Sequence, residues 1–206
     1  KRQTKFTLIL FIFLFSCSND DEIVLLNNIQ GSITNLHAPQ TGGMGQPIGG
    51  DFTKFSFETG STTTSETNWD IAFRGTMIIV NGGEKTGTND EPERTGTSAI
   101  GIVDGTFDMI TTAEGSGFKQ DFSGNPAIPT GSGKGWYNYS GPPTFVITPI
   151  PGKILVVKTS KKTYAKMEIL SYYENAPSNP NFMRDKSRYY SFNYTYNPNI
   201  EDYNLE

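Results

Sequence analysis

Two stretches near the C-terminus decide the fold: Tyr164–Tyr173 (YAKMEILSYY) and Tyr189–Tyr196 (YYSFNYTY). In the first, Ala165, Met167 and Ile169 alternate with Lys and Glu, so we assign Met167 to the core. In the second, every other residue is aromatic, namely Tyr190, Phe192, Tyr194 and Tyr196. Because successive side chains of a strand point to opposite faces, both patterns predict β strands with one buried face.

Shorter apolar runs before these two stretches predict further strands. They are Lys54–Phe57, Asn68–Phe73, Thr76–Val80, Ala99–Val103, Thr106–Ile110, Thr144–Ile150 and Lys153–Thr159. Asp104-Gly105 predicts a type I′ hairpin and Pro151-Gly152 a type II turn within another hairpin. Residues 111–141, rich in Gly, Ser and Pro, predict long loops. The expected fold class is all-β: a single antiparallel domain with long Gly/Pro-rich loops, preceded by a signal peptide and a flexible tether.

The first residues read as an export signal. Three basic residues precede and flank a ten-residue apolar run, Phe6–Phe15, which is too short to span a bilayer as a helix. The sequence Leu14-Phe15-Ser16-Cys17 resembles a lipobox, which predicts lipidation of Cys17 and a stable membrane anchor. The alternative is an ordinary signal peptide cut near Ser16. The acidic cluster that follows, residues 18–22, resembles a tag for cell-surface export, or it is a solvated tether.

These features divide the chain into three parts. We expect a lipoprotein signal peptide at residues 1–16, a lipidated N-terminus with a flexible linker at 17–50, and an all-β domain at 51–206. Glycines and a proline in Gln40–Gly50 favour the linker. Without the leader the chain keeps 14 basic and 21 acidic residues, a net charge of −7. So acidic a surface argues against nucleic acid as a partner.

The rare chemical residue types limit what the chain can catalyse or bind. One cysteine excludes an intrachain disulfide, and one histidine, His37, excludes bis-histidine ligation within a chain. His37 falls in the expected linker, so nucleophilic catalysis with a histidine base is not expected. Carboxylates such as Asp70 with Asp104 leave a glycosidase open as an alternative. Residues 89–93 (NDEPE) are either a calcium contact or a solvated acidic loop. We therefore predict a binding protein rather than an enzyme.

Three blocks resemble the HmuY family of haem-binding surface lipoproteins: Asn68–Arg74 running on to Asn81-Gly82-Gly83, then Tyr164–Tyr173, then Tyr190–Tyr196. The resemblance covers roughly residues 52–197, and YAKMEILSYY is its most specific part. It implies a protein anchored through Cys17 in the outer membrane and exposed at the cell surface. It further implies capture of haem from haemoproteins and transfer to a TonB-dependent receptor. The resemblance also allows release of the protein into the medium as an alternative to anchoring.

The same resemblance directs attention to two loops. The best-known member binds haem iron through two histidines, whose counterparts here fall near Phe145 and in the loop Pro177–Met183. Other members use methionine, a competent axial ligand. The methionine candidates are Met183, Met109 and Met77, each of which could instead fill a core. Tyr137 and Tyr139 are candidates to cover the porphyrin or ligate iron, or they pack within their loop. The candidates for the haem propionates are Lys134, Arg184 and Lys186.

The missing histidines leave a second function open. The same fold could serve a surface lipoprotein for a glycan or a peptide, or an accessory subunit of an outer-membrane transporter. The long Gly/Pro-rich loops fit this alternative equally well, since binding loops are commonly carried by a rigid scaffold.

Overall fold

The structure, a computed structural model, describes residues 25–43 and 45–206. Within these ranges the regular elements are β strands and one 3₁₀ turn, Phe107–Met109, so the predicted all-β fold is confirmed. The strands, in chain order, are β1 (Ile29–His37), β2 (Thr41–Gly43), β3 (Gln46–Gly49), β4 (Thr53–Ser56), β5 (Ser61–Thr63), β6 (Ile71–Arg74), β7 (Met77–Val80), β8 (Ala99–Asp104), β9 (Tyr137–Tyr139), β10 (Ile147–Pro149), β11 (Lys153–Lys158), β12 (Tyr164–Tyr173) and β13 (Ser187–Asn197).

Two larger antiparallel sheets form the body of the domain. One has five strands in the order β1-β13-β12-β11-β8, and the other has four in the order β5-β4-β6-β7. The hairpins β2-β3 and β9-β10 form two small separate sheets. The predicted strand at residues 164–173 is confirmed with the same bounds, and the predicted aromatic strand lies within β13.

The two larger sheets pack face to face across a core rich in aromatic rings. Phe192 of β13 meets Phe55 of β4 edge to face, with ring centroids 5.4 Å apart, and stacks on Phe73 of β6 at 6.0 Å. All three are fully buried, together with Tyr190 and Met167. Large rings bury much apolar area per residue, which suits a domain of this size. The predicted core face and the assignment of Met167 to it are confirmed.

The outer face of the five-stranded sheet is covered as well, which the alternating pattern did not indicate. Lys166, on the polar side of β12, is only 3% exposed. Its Nζ donates to the carbonyl oxygens of Phe107 and Ile110 at 2.8 and 2.9 Å and lies over the Phe107 ring. Burial lowers the pKa of Lys166. A long side chain can thus anchor the 3₁₀ turn while its charge stays hydrogen-bonded.

The predicted Asp104-Gly105 hairpin is wrong. Residues 107–109 form the 3₁₀ turn in place of a second strand. β8 pairs antiparallel with β11 instead, in a register that runs from Asp104 opposite Lys153 to Ala99 opposite Lys158. A type I′ turn needs both central residues in the left-handed region, whereas Asp104 is not among the residues with positive φ and Gly105 is nearly extended at 159°. The long-range partner β11 therefore determines where β8 pairs.

The Pro151-Gly152 prediction is right about the turn and wrong about the hairpin. Gly152 has a φ of 76°, and Lys153 N donates to the carbonyl oxygen of Ile150 at 3.3 Å, as a turn requires. The flanking strands separate, because β10 pairs with β9 while β11 pairs with β8 and β12. The turn thus connects two sheets instead of two neighbouring strands.

The expected flexible linker is wrong over residues 29–37 and again within residues 40–50, where β2 and β3 pair as a hairpin. Residues 29–37 are β1, which pairs antiparallel with β13 from Ile29 opposite Tyr196 to His37 opposite Tyr189. Leu36 is buried in the main core, and the His37 ring stacks on Tyr189 at 4.6 Å. Polar residues dominate β1 because it is an edge strand with one solvent-facing side, so its composition resembles that of a linker.

The predictions for residues 1–24 lie outside the described residues. They are the signal peptide, the lipidation of Cys17 and the acidic cluster. In the ranges that the structure describes, no helix is long and apolar enough to cross a membrane.

Candidate functional site

The loop between β9 and β10, residues 140–146, holds an aromatic side chain in an unusual backbone conformation. Phe145 has a φ of 51°, which costs a bulky residue about 1–3 kcal/mol. Its amide donates to the carbonyl oxygen of Gly141 at 2.8 Å. Ser140 braces the loop from inside, since its Oγ lies 2.6 Å from Thr144 Oγ1 and accepts from Val146 N at 2.9 Å. The loop is thereby fixed with the Phe145 ring 39% exposed.

The loop between β12 and β13, residues 174–186, presents two further exposed apolar side chains. Asn181 organises this loop. Its backbone N–H donates to Asp185 Oδ2 at 2.8 Å, and its side-chain Oδ1 accepts from Met183 N at 2.9 Å. Asp185 N returns a bond to the carbonyl oxygen of Asn181 at 2.8 Å. This tight turn leaves Phe182 46% exposed and Met183 84% exposed.

The two loops meet at their tips. The rings of Phe145 and Phe182 lie edge to face with centroids 4.9 Å apart. We call Phe145, Phe182 and Met183 the loop-end patch. The two places that the family resemblance assigns to the iron ligands are therefore in contact in the fold. Exposed apolar side chains that cluster, in contrast to single ones, are a feature of binding surfaces.

Tyr139 and Tyr137, both on β9, differ sharply in accessibility. Tyr139 pairs with Ile147 at the base of the first loop and is 45% exposed, so it can add to an apolar surface there. Tyr137 is buried, packs on Trp136 at 5.0 Å, and its hydroxyl accepts from Gly131 N at 3.1 Å. Its hydroxyl and ring thus serve packing, the alternative that the sequence left open.

The cations near the patch are engaged in exposed ion pairs. Arg184 Nε donates to Asp185 Oδ1 at 2.9 Å, which raises the pKa of Arg184, and Lys186 Nζ lies 3.1 Å from Glu174 Oε2. Lys134 is exposed on a different loop. Exposed ion pairs contribute little stability, so an incoming carboxylate can compete for either cation of the second loop.

The other two methionine candidates lie on other elements than the two loops. Met109 belongs to the 3₁₀ turn on the outer face of the five-stranded sheet, is 74% exposed and lines a cavity of about 150 Å³. Met77 begins β7, is partly buried and lines another cavity of about 270 Å³ with Arg74. The structure therefore places the three methionines on three separate elements.

The carboxylates weighed for a glycosidase serve different local roles. Asp70 is buried and accepts from Phe57 N at 2.8 Å, and burial raises its pKa from 3.8 to about 6. It lines a cavity of only about 40 Å³, which Asp104 does not line. Asp104 is exposed and pairs with Lys153 at 2.5 Å. A cavity of that size holds about one water molecule, far less than a sugar ring.

Residues 89–93 are held to the domain by buried charges and are therefore not a merely solvated loop. Glu91 is buried and pairs with Arg94 at 2.8 Å, and Arg94 also reaches Asp121 at 3.1 Å. Burial opposes ionisation of Glu91, yet hydrogen bonds from Thr86 and Thr88 hold its pKa at about 2. Among the described residues, no group of three His, Cys, Asp or Glu side chains could hold a metal ion. These charges fasten the loop to the body of the domain.

Two residues that sequence reasoning missed matter most. Phe182 was not singled out, although an apolar Phe-Met pair within an otherwise polar loop is a usable signal. Arg74 is the last residue of the apolar strand β6 and carries no local sign of burial, yet it is 1% exposed. Only its long-range contacts with Gly50, Thr88 and Asn89 show what it does.

Three solved structures are similar to this chain. The apo form of a HmuY analogue of Tannerella forsythia matches with a TM-score of 0.56 at 15% identity, over 85% of this chain and 99% of that chain. A Bacteroides vulgatus protein described as HmuY-like and haem-binding scores 0.46 at 12% identity, over 84% and 93% of the two chains. A protein of Bacteroides fragilis described as a lipoprotein scores 0.43 at 10% identity, over 82% and 93%.

No curated protein matches the chain significantly. At 15% identity the Tannerella forsythia similarity establishes the fold alone. The family model described as HmuY protein matches residues 50–194, well over half of the sequence. The chain therefore belongs to the HmuY family.

Proposed function

We propose that this protein binds haem at the loop-end patch, is anchored to the outer membrane through Cys17 at the cell surface, and passes haem to a TonB-dependent receptor. The observation that carries the haem site is the contact between Phe145 and Phe182, which joins two loops into one exposed apolar surface. The protein acts by binding and transfer, without catalysis.

The chemistry of the patch suits an iron porphyrin. Phenylalanine rings offer flat apolar faces to a macrocycle, and aromatic pairs gain energy beyond the area they bury. Met183 offers a neutral thioether, which ligates haem iron and favours the reduced state. At 84% exposure, Met183 can turn toward a ligand without disturbing packing. Phe145 is held in a strained conformation, a feature that clusters at ligand-binding sites.

Among the three methionine candidates, Met183 is favoured by its place. It is the chain neighbour of Phe182 in the second loop, whereas Met109 is the last residue of the 3₁₀ turn. The cavity at Met77, about 270 Å³, lies below the usual range for drug-sized ligands, and haem is larger than most of these. Arg184 and Lys186, on the same loop as Met183, are placed to exchange their carboxylate partners for haem propionates.

A haem titration of residues 18–206, read by visible absorbance with iron oxidised and then reduced, tests the proposal. We expect a saturable Soret change, stronger in the ferrous state, and at least tenfold weaker binding by Met183→Ala. Met109→Ala is the matched control and is expected to bind as the native protein does. No change in either oxidation state would contradict haem binding and favour a glycan or peptide ligand. Loss of binding in the control variant alone would contradict the site.

The anchor and the transfer step need separate tests. In cells given a labelled fatty acid, we expect label in the native protein and none in Cys17→Ala. Haem-loaded protein is expected to lose its Soret band to its receptor when the two are mixed. Unlabelled native protein would contradict the anchor, and a haem complex that no receptor of the same cells can empty would contradict transfer.

A further inference from the structure

The cavity at Met77 lies at the turn between β6 and β7 and differs in chemistry from the loop-end patch. Its volume is about 270 Å³, equivalent to about nine water molecules. Its apolar walls are Ile48, Met77 and Pro126, and its polar walls include Arg74, Thr76 and Thr88. Mostly apolar cavities with a few convergent polar groups are the usual form of small-molecule sites.

Arg74 is the charged residue among those that line the cavity. It is 1% exposed and stacks on the Phe52 ring, 4.2 Å from the centroid. Its Nη1 donates to the carbonyl oxygens of Gly50 and Asn89, and its Nη2 donates to Thr88 Oγ1 at 2.5 Å. Nε has no hydrogen-bond partner among the described residues. Three hydrogen bonds for five N–H groups leave Nε–H and one Nη2–H unmatched.

A comparison with Arg94 shows what Arg74 lacks. Arg94 is buried too, but it contacts two carboxylates, Glu91 and Asp121, at 2.8 and 3.1 Å. In the described part of the chain Arg74 forms no ion pair with a carboxylate. Glu91 Oε2 accepts from Arg94, and Glu91 Oε1 accepts from Thr88 Oγ1, the hydroxyl that lies between Glu91 and Arg74. Asp90 accepts from Gly50 N. A buried N–H without an acceptor is costly and calls for a ligand or water.

We propose that this cavity binds a small monocarboxylate with an apolar body. The carboxylate accepts from the unmatched edge of Arg74, since Nε–H and an Nη2–H together form the fork that matches two carboxylate oxygens. The apolar body lies against Met77, Ile48 and Pro126. The size of the cavity limits the ligand to a short-chain or single-ring acid. The site involves none of the residues of the loop-end patch.

Benzoate and its uncharged analogue benzamide are suitable probes, titrated into residues 18–206 without haem. We expect benzoate to give saturable amide shifts in nuclear magnetic resonance spectra, concentrated at Thr76, Thr88 and Thr130, and to bind at least tenfold more tightly than benzamide. Met77→Trp fills the cavity while keeping Arg74, and is expected to weaken benzoate binding at least tenfold. Met109→Trp, at an exposed methionine elsewhere, is the matched control and should bind normally.

Arg74→Lys keeps the charge but removes the fork, so binding should also fall at least tenfold. If this variant does not fold, as circular dichroism would show, Met77→Trp decides the matter alone. Equal binding of benzoate and benzamide, normal binding by Met77→Trp, or no saturable shift with benzoate would each overturn the proposal. Because haem is absent, failure here leaves the haem proposal unaffected, and the reverse also holds.

Discussion

The aromatic residues between the two sheets and those at the loop tips are the same residue types in opposite roles. Phe192, in the core, is fully buried, whereas Phe145 and Phe182 are 39% and 46% exposed. Ring geometry does not separate the two groups, because edge-to-face contacts occur in both, at 5.4 Å in the core and 4.9 Å at the tips. Exposure separates them, and it depends on what covers each ring.

The comparison teaches where function can reside in this fold. Rings between the sheets contact other rings on several sides, as Phe192 does with Phe55 and Phe73, and have no face left for a ligand. Rings at the loop tips contact each other and keep a free side. Core aromatics thus stabilise the scaffold, and loop aromatics are available to bind.

The largest effect is expected from removing β1, which covers the edge of the aromatic core. A chain that starts at residue 39 loses the pairing with β13 and the buried Leu36. We expect a loss of more than about 5 kcal/mol in the free energy of unfolding, the upper end for one buried leucine alone. A chain that starts at residue 25 keeps the hydrogen bonds between Leu26 and Asn199, so it is the control and should unfold like the native protein in urea. Equal stability of the two truncations would restore the flexible-linker interpretation.

A single core ring gives the next largest effect. Phe192→Ala removes a fully buried ring that packs on both Phe55 and Phe73, and should cost about 3–5 kcal/mol in the free energy of unfolding. Urea denaturation followed by tyrosine and tryptophan fluorescence measures it. Haem affinity of the folded protein should stay within about twofold of native. A loss below about 1 kcal/mol would be inconsistent with the core described.

A pH series probes the buried carboxyl beside the core. Burial raises the pKa of Asp70 from 3.8 to about 6, so the folded state holds the proton more tightly than the unfolded state. Stability from this group is therefore fully present below about pH 4 and falls by roughly 3 kcal/mol as pH rises through 6. Asp70→Asn should lack this fall when urea denaturation is compared at pH 4 and pH 7. Asp104→Asn, at an exposed site, should keep it, and an unchanged slope in Asp70→Asn would refute the assignment.

The smallest effect on stability, with the clearest effect on binding, is expected at the loop tips. Phe182→Ala removes a half-exposed ring, so the free energy of unfolding should change by less than about 1 kcal/mol. Haem affinity should fall about five- to tenfold, equivalent to about 1–1.4 kcal/mol. The measurement is the absorbance titration already described, with Phe122→Ala, at an exposed ring elsewhere, as the control. A loss of unfolding free energy as large as that of Phe192→Ala would contradict the distinction between core rings and loop-tip rings.

Sequence periodicity was sufficient for the central strands. The alternation in residues 164–173 gives β12 its bounds and its inward face, because a half-buried strand repeats every two residues. It failed for Lys166, whose side of the strand is covered by the 3₁₀ turn. It failed again for β1, where an edge strand with mostly polar residues resembles a linker. In both cases the missing information is which distant segment packs there.

Neighbouring residues within the strands were enough to predict the all-β class, the aromatic core face and, through the three blocks, the resemblance to the family. These patterns are visible in the linear sequence. Tertiary contacts were needed to show that Phe145 meets Phe182 and that Arg74 is buried beside Gly50 and Thr88. Those contacts join loops from different strands, and loops have no periodicity that predicts their partners. Their positions follow from the sheets that carry them.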